Sequence, residues 1–119
     1  MLATLLGPLA CLAMGTAGLF APRAFGSQTG LTAAGPLGRS ELRALFGGVF
    51  VGLATACLVL GTPSAYWAAA SAFLGGGAAK LLAGVLERGV FPRALPGVAV
   101  DLIAGGLFVW GARSLGAAG

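Results

Sequence analysis

Four long runs of apolar residues divide the chain, and short polar or turn-forming segments separate them. The runs cover approximately residues 2–21, 41–60, 65–86 and 97–113. Each run is close to the ~20 residues that an α-helix needs to cross the hydrocarbon core of a bilayer. Because lipid offers no hydrogen-bond partner to free backbone groups, each run is predicted to be a continuous helix. The pattern therefore predicts an all-α membrane protein, with four transmembrane helices in a single domain over residues 1–119.

The segments between the runs carry turn signals. Residues 22–40 are the longest interval rich in glycine, proline and polar residues, and are predicted to be the main loop. Ser40 is predicted to be the N-cap of the second helix, since Glu41 follows in the favourable first turn. Residues 61–64, Gly-Thr-Pro-Ser, predict a tight turn. The short connections before and after the third helix predict antiparallel neighbours in a small bundle.

The first run is either a retained helix or a signal peptide. A signal peptide begins with a positively charged region, whereas only Met1-Leu2-Ala3 precede Thr4 here. We therefore expect the first run to be a retained membrane helix.

Composition supports a membrane protein over a soluble one. The chain is 58% hydrophobic and 8% charged, with a mean hydropathy of +0.98. Its net charge of +4 comes from seven scattered cations rather than from a patch that could follow phosphates, so we expect no nucleic-acid partner. Histidine is absent, and two cysteines with three acids show no metal-ligand spacing. We therefore expect no bound metal and no cofactor.

The distribution of cations predicts the orientation in the membrane. Five arginines flank the first and third predicted loops, whereas the opposite side has Arg113 and the amino terminus; the five are Arg23, Arg39, Arg43, Arg88 and Arg93. Cytoplasmic loops carry an excess of Lys and Arg, so both termini are predicted to lie outside. Tyr66, Trp67 and Trp110 fall at the outer helix ends, where aromatic side chains anchor helices at the interface.

Lys80 and Asp101 are ionisable residues inside the third and fourth apolar runs. Each lies about six residues, or ~9 Å, from the cytoplasmic end of its helix. In an antiparallel hairpin they reach the same depth, and an ion pair would lower the cost of placing either charge in hydrocarbon. The pair is either a ligand-binding, proton-linked or gating site or a purely structural pair, with Lys80 reaching toward the cytoplasmic face.

Glu41 and Arg43 begin the second helix at the same side of the membrane. They either join Lys80 and Asp101 in a cluster of four charges or form a solvated helix start that orients the chain. No serine or cysteine nucleophile can be paired with histidine, so catalytic residues are not predicted. The chain is not expected to be an enzyme, and in the remaining alternative of a membrane enzyme Asp101 and Glu41 are the only acid-base groups available.

Small residues recur every four positions on the predicted helices. Such stripes let helix backbones approach closely in membranes. The glycines assigned to helix packing are Gly48 and Gly52 on the second helix, Gly76 and Gly84 on the third, and Gly97 and Gly105 on the fourth. Cys11 and Cys57 differ in depth by several ångströms and are therefore predicted to be small core residues without a disulfide.

The start of the second helix, Glu41-Leu42-Arg43-Ala44-Leu45-Phe46-Gly47-Gly48, resembles the opening of a known family. That family is catalogued as domain of unknown function 4345 and consists of small bacterial four-helix membrane proteins. The similar later landmarks are Gly75-Gly76-Gly77 with Lys80, Gly89 before Pro92, and Asp101. Lys80 stands where the family pattern has arginine, and Asp101 where glutamate is commoner. The resemblance implies a four-helix bundle and supplies no catalytic residues.

Two functions fit these features. The first is a structural or accessory subunit that packs against a larger membrane complex, or against copies of itself, through its small-residue faces. The alternative is a small-ligand or ion binder or transporter that uses the intramembrane Lys-Asp pair. The Ala, Gly, Leu and Arg bias and the family resemblance both favour a multi-pass protein of the bacterial cytoplasmic (inner) membrane, with the lipid bilayer as its first partner.

Overall fold

The structure, a computed structural model, describes residues 1–21, 23–24, 34–87, 89 and 91–118. It contains four long helices, α1 (Leu2–Phe20), α2 (Pro36–Leu60), α3 (Pro63–Leu86) and α4 (Phe91–Ala118). Each is long and apolar enough to cross a membrane. The prediction of an all-α protein with four apolar spans is confirmed at this level, and the chain is a multi-pass membrane protein by helix length and composition.

The start of α2 differs from the sequence prediction. The helix begins at Pro36, with Gly35 as N-cap, so Ser40 lies inside the helix and is not its cap. Proline is suited to a first helical turn because that position needs no amide hydrogen. The helix therefore takes up the end of the predicted main loop. Most of the rest of that loop, residues 22 and 25–33, lies outside the described residues.

The start of α4 is also earlier than predicted. The helix begins at Phe91 and includes Pro92 and Pro96, which precede the predicted fourth run of residues 97–113. Pro92 lies in the first turn, where a missing amide hydrogen costs nothing. In a regular helix the amide hydrogen of residue 96 would donate to the carbonyl of Pro92, and Pro96 has no such hydrogen. Because Pro92 lies at the very start of the helix, the loss of this hydrogen bond disturbs the helix only slightly. Two prolines near a boundary therefore did not end this helix.

The predicted tight turn between α2 and α3 is present. Gly61 ends α2 in the left-handed region, with φ of 59°, and its amide donates to the Cys57 carbonyl. A residue with a side chain is strained in that conformation, whereas glycine is not. Thr62 then caps α3, since its hydroxyl oxygen accepts a hydrogen bond from the Ala65 amide at 3.4 Å.

A π-helical segment, Arg43–Gly48, interrupts α2. Immediately after it, the Val49 amide donates to the carbonyl of Ala44, five residues earlier. At this segment the backbones of α1 and α2 touch: a Cβ added to Gly18 would lie 2.7 Å from the carbonyl carbon of Phe46. A Cβ on Gly47 would lie 2.8 Å from the Leu19 nitrogen. Glycine on both helices is what permits this contact.

The helices pack most extensively as α3 on α4, while α1 lies against both α2 and α4. Aromatic rings form the centre of the core. Phe73 stacks on Phe108 with centroids 5.8 Å apart, and Phe50 meets Phe73 edge-on at 5.2 Å. Cys11 and Cys57 are buried in the same core and are not disulfide-bonded, as predicted. The outer surface carries exposed leucine, valine and isoleucine side chains, which suits contact with lipid.

Candidate functional site

The structure brings Lys80 of α3 and Asp101 of α4 into contact. Lys80 Nζ lies 2.6 Å from Asp101 Oδ2, well within the distance of an ion pair. The Asp101 side chain is only 12% exposed, whereas that of Lys80 is 44% exposed. The pair therefore has a buried acceptor and a donor that reaches the surface of the bundle.

Two glycines make room for this pair. A Cβ on Gly76 would lie 3.2 Å from Asp101 Oδ2, and a Cβ on Gly97 would lie 3.2 Å from Lys80 Nζ. Both distances are tighter than an ordinary van der Waals contact. Gly76 and Gly97, assigned to helix packing from their spacing, thus border the ion pair itself.

The contacts between α3 and α4 run in opposite order along the two helices. Gly77 meets Leu102, Leu74 meets Gly105, and Tyr66 meets Gly111. Lys80 continues this series toward Gly97. Counting residues from the connection between the helices therefore placed Lys80 and Asp101 near each other.

Glu41 and Arg43 are not joined to the pair. Within the described part of the chain, Lys80 to Asp101 is the only ion pair. Arg43 instead donates from Nε to the Leu19 carbonyl at 3.0 Å, near the end of α1. Glu41 is exposed on α2. The cluster of four charges that the sequence allowed therefore reduces to two charges in contact.

The remaining glycines assigned to packing have different surroundings. On α4, a Cβ on Gly105 would lie 2.6 Å from Leu74 Cδ2, so this glycine is at a tight helix contact. Gly84 is half-buried on α3. Gly48 and Gly52 are exposed on α2, and a Cβ on Gly52 would have nothing within 4 Å.

Sequence spacing missed the close contacts of Gly18, Gly47 and Gly111. A Cβ on Gly111 would lie 2.8 Å from the Ala3 carbonyl oxygen. The available signal was weak, because a chain with 22 glycines contains many four-residue spacings.

The aromatic residues predicted as interface anchors fall into two groups. Trp67 and Trp110 are 44% and 45% exposed, in line with a position at the bundle surface. Tyr66 is buried in the bundle, and its hydroxyl donates to the Thr4 carbonyl at 2.7 Å. Pro8 has no amide hydrogen to donate to that carbonyl, which lies four residues before it. Tyr66 therefore supplies the hydrogen bond that Pro8 removes.

The chemistry of the site is that of one carboxylate and one ammonium in an apolar surrounding. Among the described residues no three His, Cys, Asp or Glu side chains come together as a group that could hold a metal. The chain matches no protein-family model, no curated protein and no solved structure. The features of the chain that bear on its function are the ion pair and the exposed helix faces.

Proposed function

We propose that this chain is a structural or accessory subunit of a larger assembly in the bacterial cytoplasmic membrane. The observation that carries the proposal is the outward face of α2, where Gly48 and Gly52 are exposed. These residues form the G-x-x-x-G pattern Gly48-Val49-Phe50-Val51-Gly52. This pattern lets two membrane helices approach closely enough for their backbones to touch.

Among the described residues, nothing packs against these two glycines in a way that would require them to be glycine. A Cβ on Gly52 would meet nothing within 4 Å, and a Cβ on Gly48 would meet only the Arg43 carbonyl oxygen of its own helix, at 4.0 Å. Glycine inside a helix costs about 1 kcal/mol relative to alanine. An incoming helix that packs on this face would offset that cost through close backbone contact.

Short connections favour a packing role over an independent activity. Only Gly61 and Thr62 separate α2 from α3. Residues 87–90 separate α3 from α4. Neither connection is long enough to form a soluble catalytic domain. Helix faces are therefore the main surface through which these spans can contact a partner.

The proposal is tested by purifying the tagged full chain in mild detergent and measuring its native mass. We expect a stoichiometric larger membrane protein to accompany it. Replacing Gly52 with isoleucine adds a branched side chain to the proposed interface, and we expect at least a tenfold loss of the partner. Gly106→Ile is the matched control, because a Cβ on Gly106 of α4 also meets nothing within 4 Å.

Three outcomes would count against this function. If the chain purifies alone in mild detergent, it has no stable partner, which contradicts an accessory role. A pure homo-oligomer sensitive to Gly52→Ile would reassign the face to self-association. Equal partner loss in Gly52→Ile and Gly106→Ile would show that the α2 face has no special role.

The proposal includes an arrangement in the membrane. We propose antiparallel helices with both termini outside, supported by the reversed order of the contacts between α3 and α4 and by arginines near the end of α1 and the start of α2. Arg88 lies outside the described residues. Membership in the domain of unknown function 4345 family is a further proposal, supported by the Glu-Leu-Arg-Ala-Leu-Phe-Gly-Gly string.

A second candidate function is binding of a small ligand or ion at the Lys80–Asp101 pair. The observation in its favour is the 44% exposure of the Lys80 side chain, which leaves the ammonium accessible beside a buried carboxylate. A purely structural pair is replaceable by apolar residues when both charges are removed together. Lys80→Met with Asp101→Leu is therefore expected to keep or raise the melting temperature, while each single change lowers it.

The same double variant tests this second function. A small molecule or ion that binds the pair raises the melting temperature of the detergent-purified protein, and this shift is lost in the variant. A stable double variant that abolishes a cellular phenotype would favour the binding role. A broad ligand screen without any shift would argue against it.

A further inference from the structure

An open cleft lies at the end of the bundle where α1 finishes and α2 begins. Its volume is about 410 Å³, and its lining residues are Phe20, Ala21, Arg23, Ala24, Arg39 and Arg43. Three of these six side chains are arginines. They come from two separate stretches of the chain, so the cleft gathers positive charge that the sequence distributes over 21 positions, from 23 to 43.

No acidic side chain neutralises this charge. The chain has three acidic residues, and all three are within the described part. Asp101 is paired with Lys80 on other helices. Glu41 lies between Arg39 and Arg43 in sequence but forms no ion pair with either, and Glu87 forms none within the described residues. The three arginines of the cleft therefore outnumber Glu41, the one acid near them in sequence, and the cleft has a net positive charge.

One arginine of the cleft is held in place by the fold. Arg43 donates from Nε to the Leu19 carbonyl at 3.0 Å, which orients its guanidinium at the end of α1. That bond uses one of the five N–H donors of a guanidinium, and the fork geometry of the others matches phosphate oxygens. Arg39, one helical turn before Arg43, is half-buried and lines the same cleft.

A large apolar side chain lines the cationic cleft, and a second is exposed at the start of α2. Phe20 lines it and is 81% exposed, and Leu37, which follows Pro36 at the start of α2, is 77% exposed. Both lie at ends of apolar spans, where the hydrocarbon of a bilayer gives way to headgroups. A group with a charged phosphate and an adjoining apolar chain fits this combination.

We propose that the cleft binds a phosphate group, carried either by an anionic phospholipid or by a soluble phosphate compound at the membrane surface. The three arginines provide the charge-assisted hydrogen bonds, and Phe20 meets the acyl chain where the carrier is a lipid. This site is separate from the Lys80–Asp101 pair and from the outward face of α2.

The test uses the full chain in neutral detergent and measures its melting temperature during titration with three probes. The probes are short-chain phosphatidylglycerol, short-chain phosphatidylcholine and inorganic phosphate. Arg23→Gln with Arg39→Gln removes two charges while retaining the bond from Arg43 to Leu19. Arg113→Gln is the control, because Arg113 is an exposed arginine of α4 that does not line the cleft. It is close in sequence to Gly111, which packs on Ala3 at the start of α1, whereas the cleft lies at the end of α1.

We expect phosphatidylglycerol to raise the melting temperature more than phosphatidylcholine does. In the double variant the apparent affinity for phosphatidylglycerol is expected to fall roughly 30-fold. Each basic residue near a membrane surface strengthens binding to an anionic lipid by roughly fivefold, and the variant removes two such residues. The control is expected to bind like the unmodified chain. If inorganic phosphate produces the same shift with the same arginine dependence, the carrier is a soluble phosphate compound.

Other results would overturn the proposal. Equal shifts with phosphatidylglycerol and phosphatidylcholine, together with none from inorganic phosphate, would leave no role for the negative charge. Equal loss of binding in Arg113→Gln would reduce the effect to net charge. Should the double variant not fold, the exposed Arg23→Gln alone is used, and unchanged binding by that variant would also contradict the proposal.

Discussion

At the scale of single residues, Pro8 and Tyr66 illustrate how an unpaired backbone group is satisfied. Pro8 leaves the Thr4 carbonyl without its helical donor, and the Tyr66 hydroxyl donates to it from α3 at 2.7 Å. An unpaired carbonyl is costly in an apolar environment. The sequence placed Tyr66 at a helix end but contained no sign of this partner, because the two residues are far apart along the chain.

This contact predicts the behaviour of Tyr66→Phe, which retains the ring against Phe108 but removes the hydroxyl. The free energy of unfolding is expected to fall by about 1–3 kcal/mol, because the Thr4 carbonyl loses its donor. In a Pro8→Ala background the new amide hydrogen can serve that carbonyl, so the same change should cost less. Thermal unfolding in mild detergent, followed by circular dichroism, measures both values.

The exposed neighbour Trp67 supplies the control for this cycle. Trp67→Phe is expected to leave the melting temperature nearly unchanged in either background, since its side chain is 44% exposed. An identical cost of Tyr66→Phe with proline or alanine at position 8 would show that the hydroxyl does not compensate for Pro8.

At the scale of helices, apolar periodicity located the spans but not their ends. The first turns of α2 and α4 contain proline and lie before the predicted apolar runs of residues 41–60 and 97–113. A first turn tolerates proline because its amide groups have no helical acceptor. Hydropathy therefore predicted the centres of the helices, but it did not predict the first residues of α2 and α4.

Glycine spacing also marked helix faces without saying which faces are packed. Gly18→Ala is expected to lower the free energy of unfolding by about 1–3 kcal/mol, because the new Cβ would lie 2.7 Å from the Phe46 backbone. The backbone of α2 must shift to accommodate it.

Gly75→Ala is the matched substitution at an open position. A Cβ on Gly75 of α3 meets nothing within 4 Å, so the substitution is expected to raise stability by up to about 1 kcal/mol through helix propensity. The comparison is made by thermal unfolding of both variants in the same detergent. Equal effects of the two changes would mean that the close contact of α1 with α2 does not contribute to stability.

At the scale of the whole molecule, the charge distribution predicts how the chain sits in the membrane. Arg39 and Arg43 lie at the start of α2 and Arg23 follows α1, while Arg113 is near the end of α4. Alkaline phosphatase fused after Arg113 is expected to be active, because the carboxyl terminus is predicted to lie outside.

The same enzyme fused after Glu87 is expected to be inactive, and green fluorescent protein should give the reverse pattern at both sites. These two reporters respond to opposite sides of the bacterial inner membrane. The reversed result at both sites would contradict the proposed orientation, in which both termini lie outside.

The sequence by itself determined the four apolar spans and the similar depth of Lys80 and Asp101, because hydropathy and residue counts are properties of the linear chain. Only the tertiary structure decided that Arg43 turns to Leu19 rather than to the ion pair. It also decided that Gly47 is packed while Gly52 faces outward. Spacing defines a face of a helix, but the neighbouring helices determine what lies against that face.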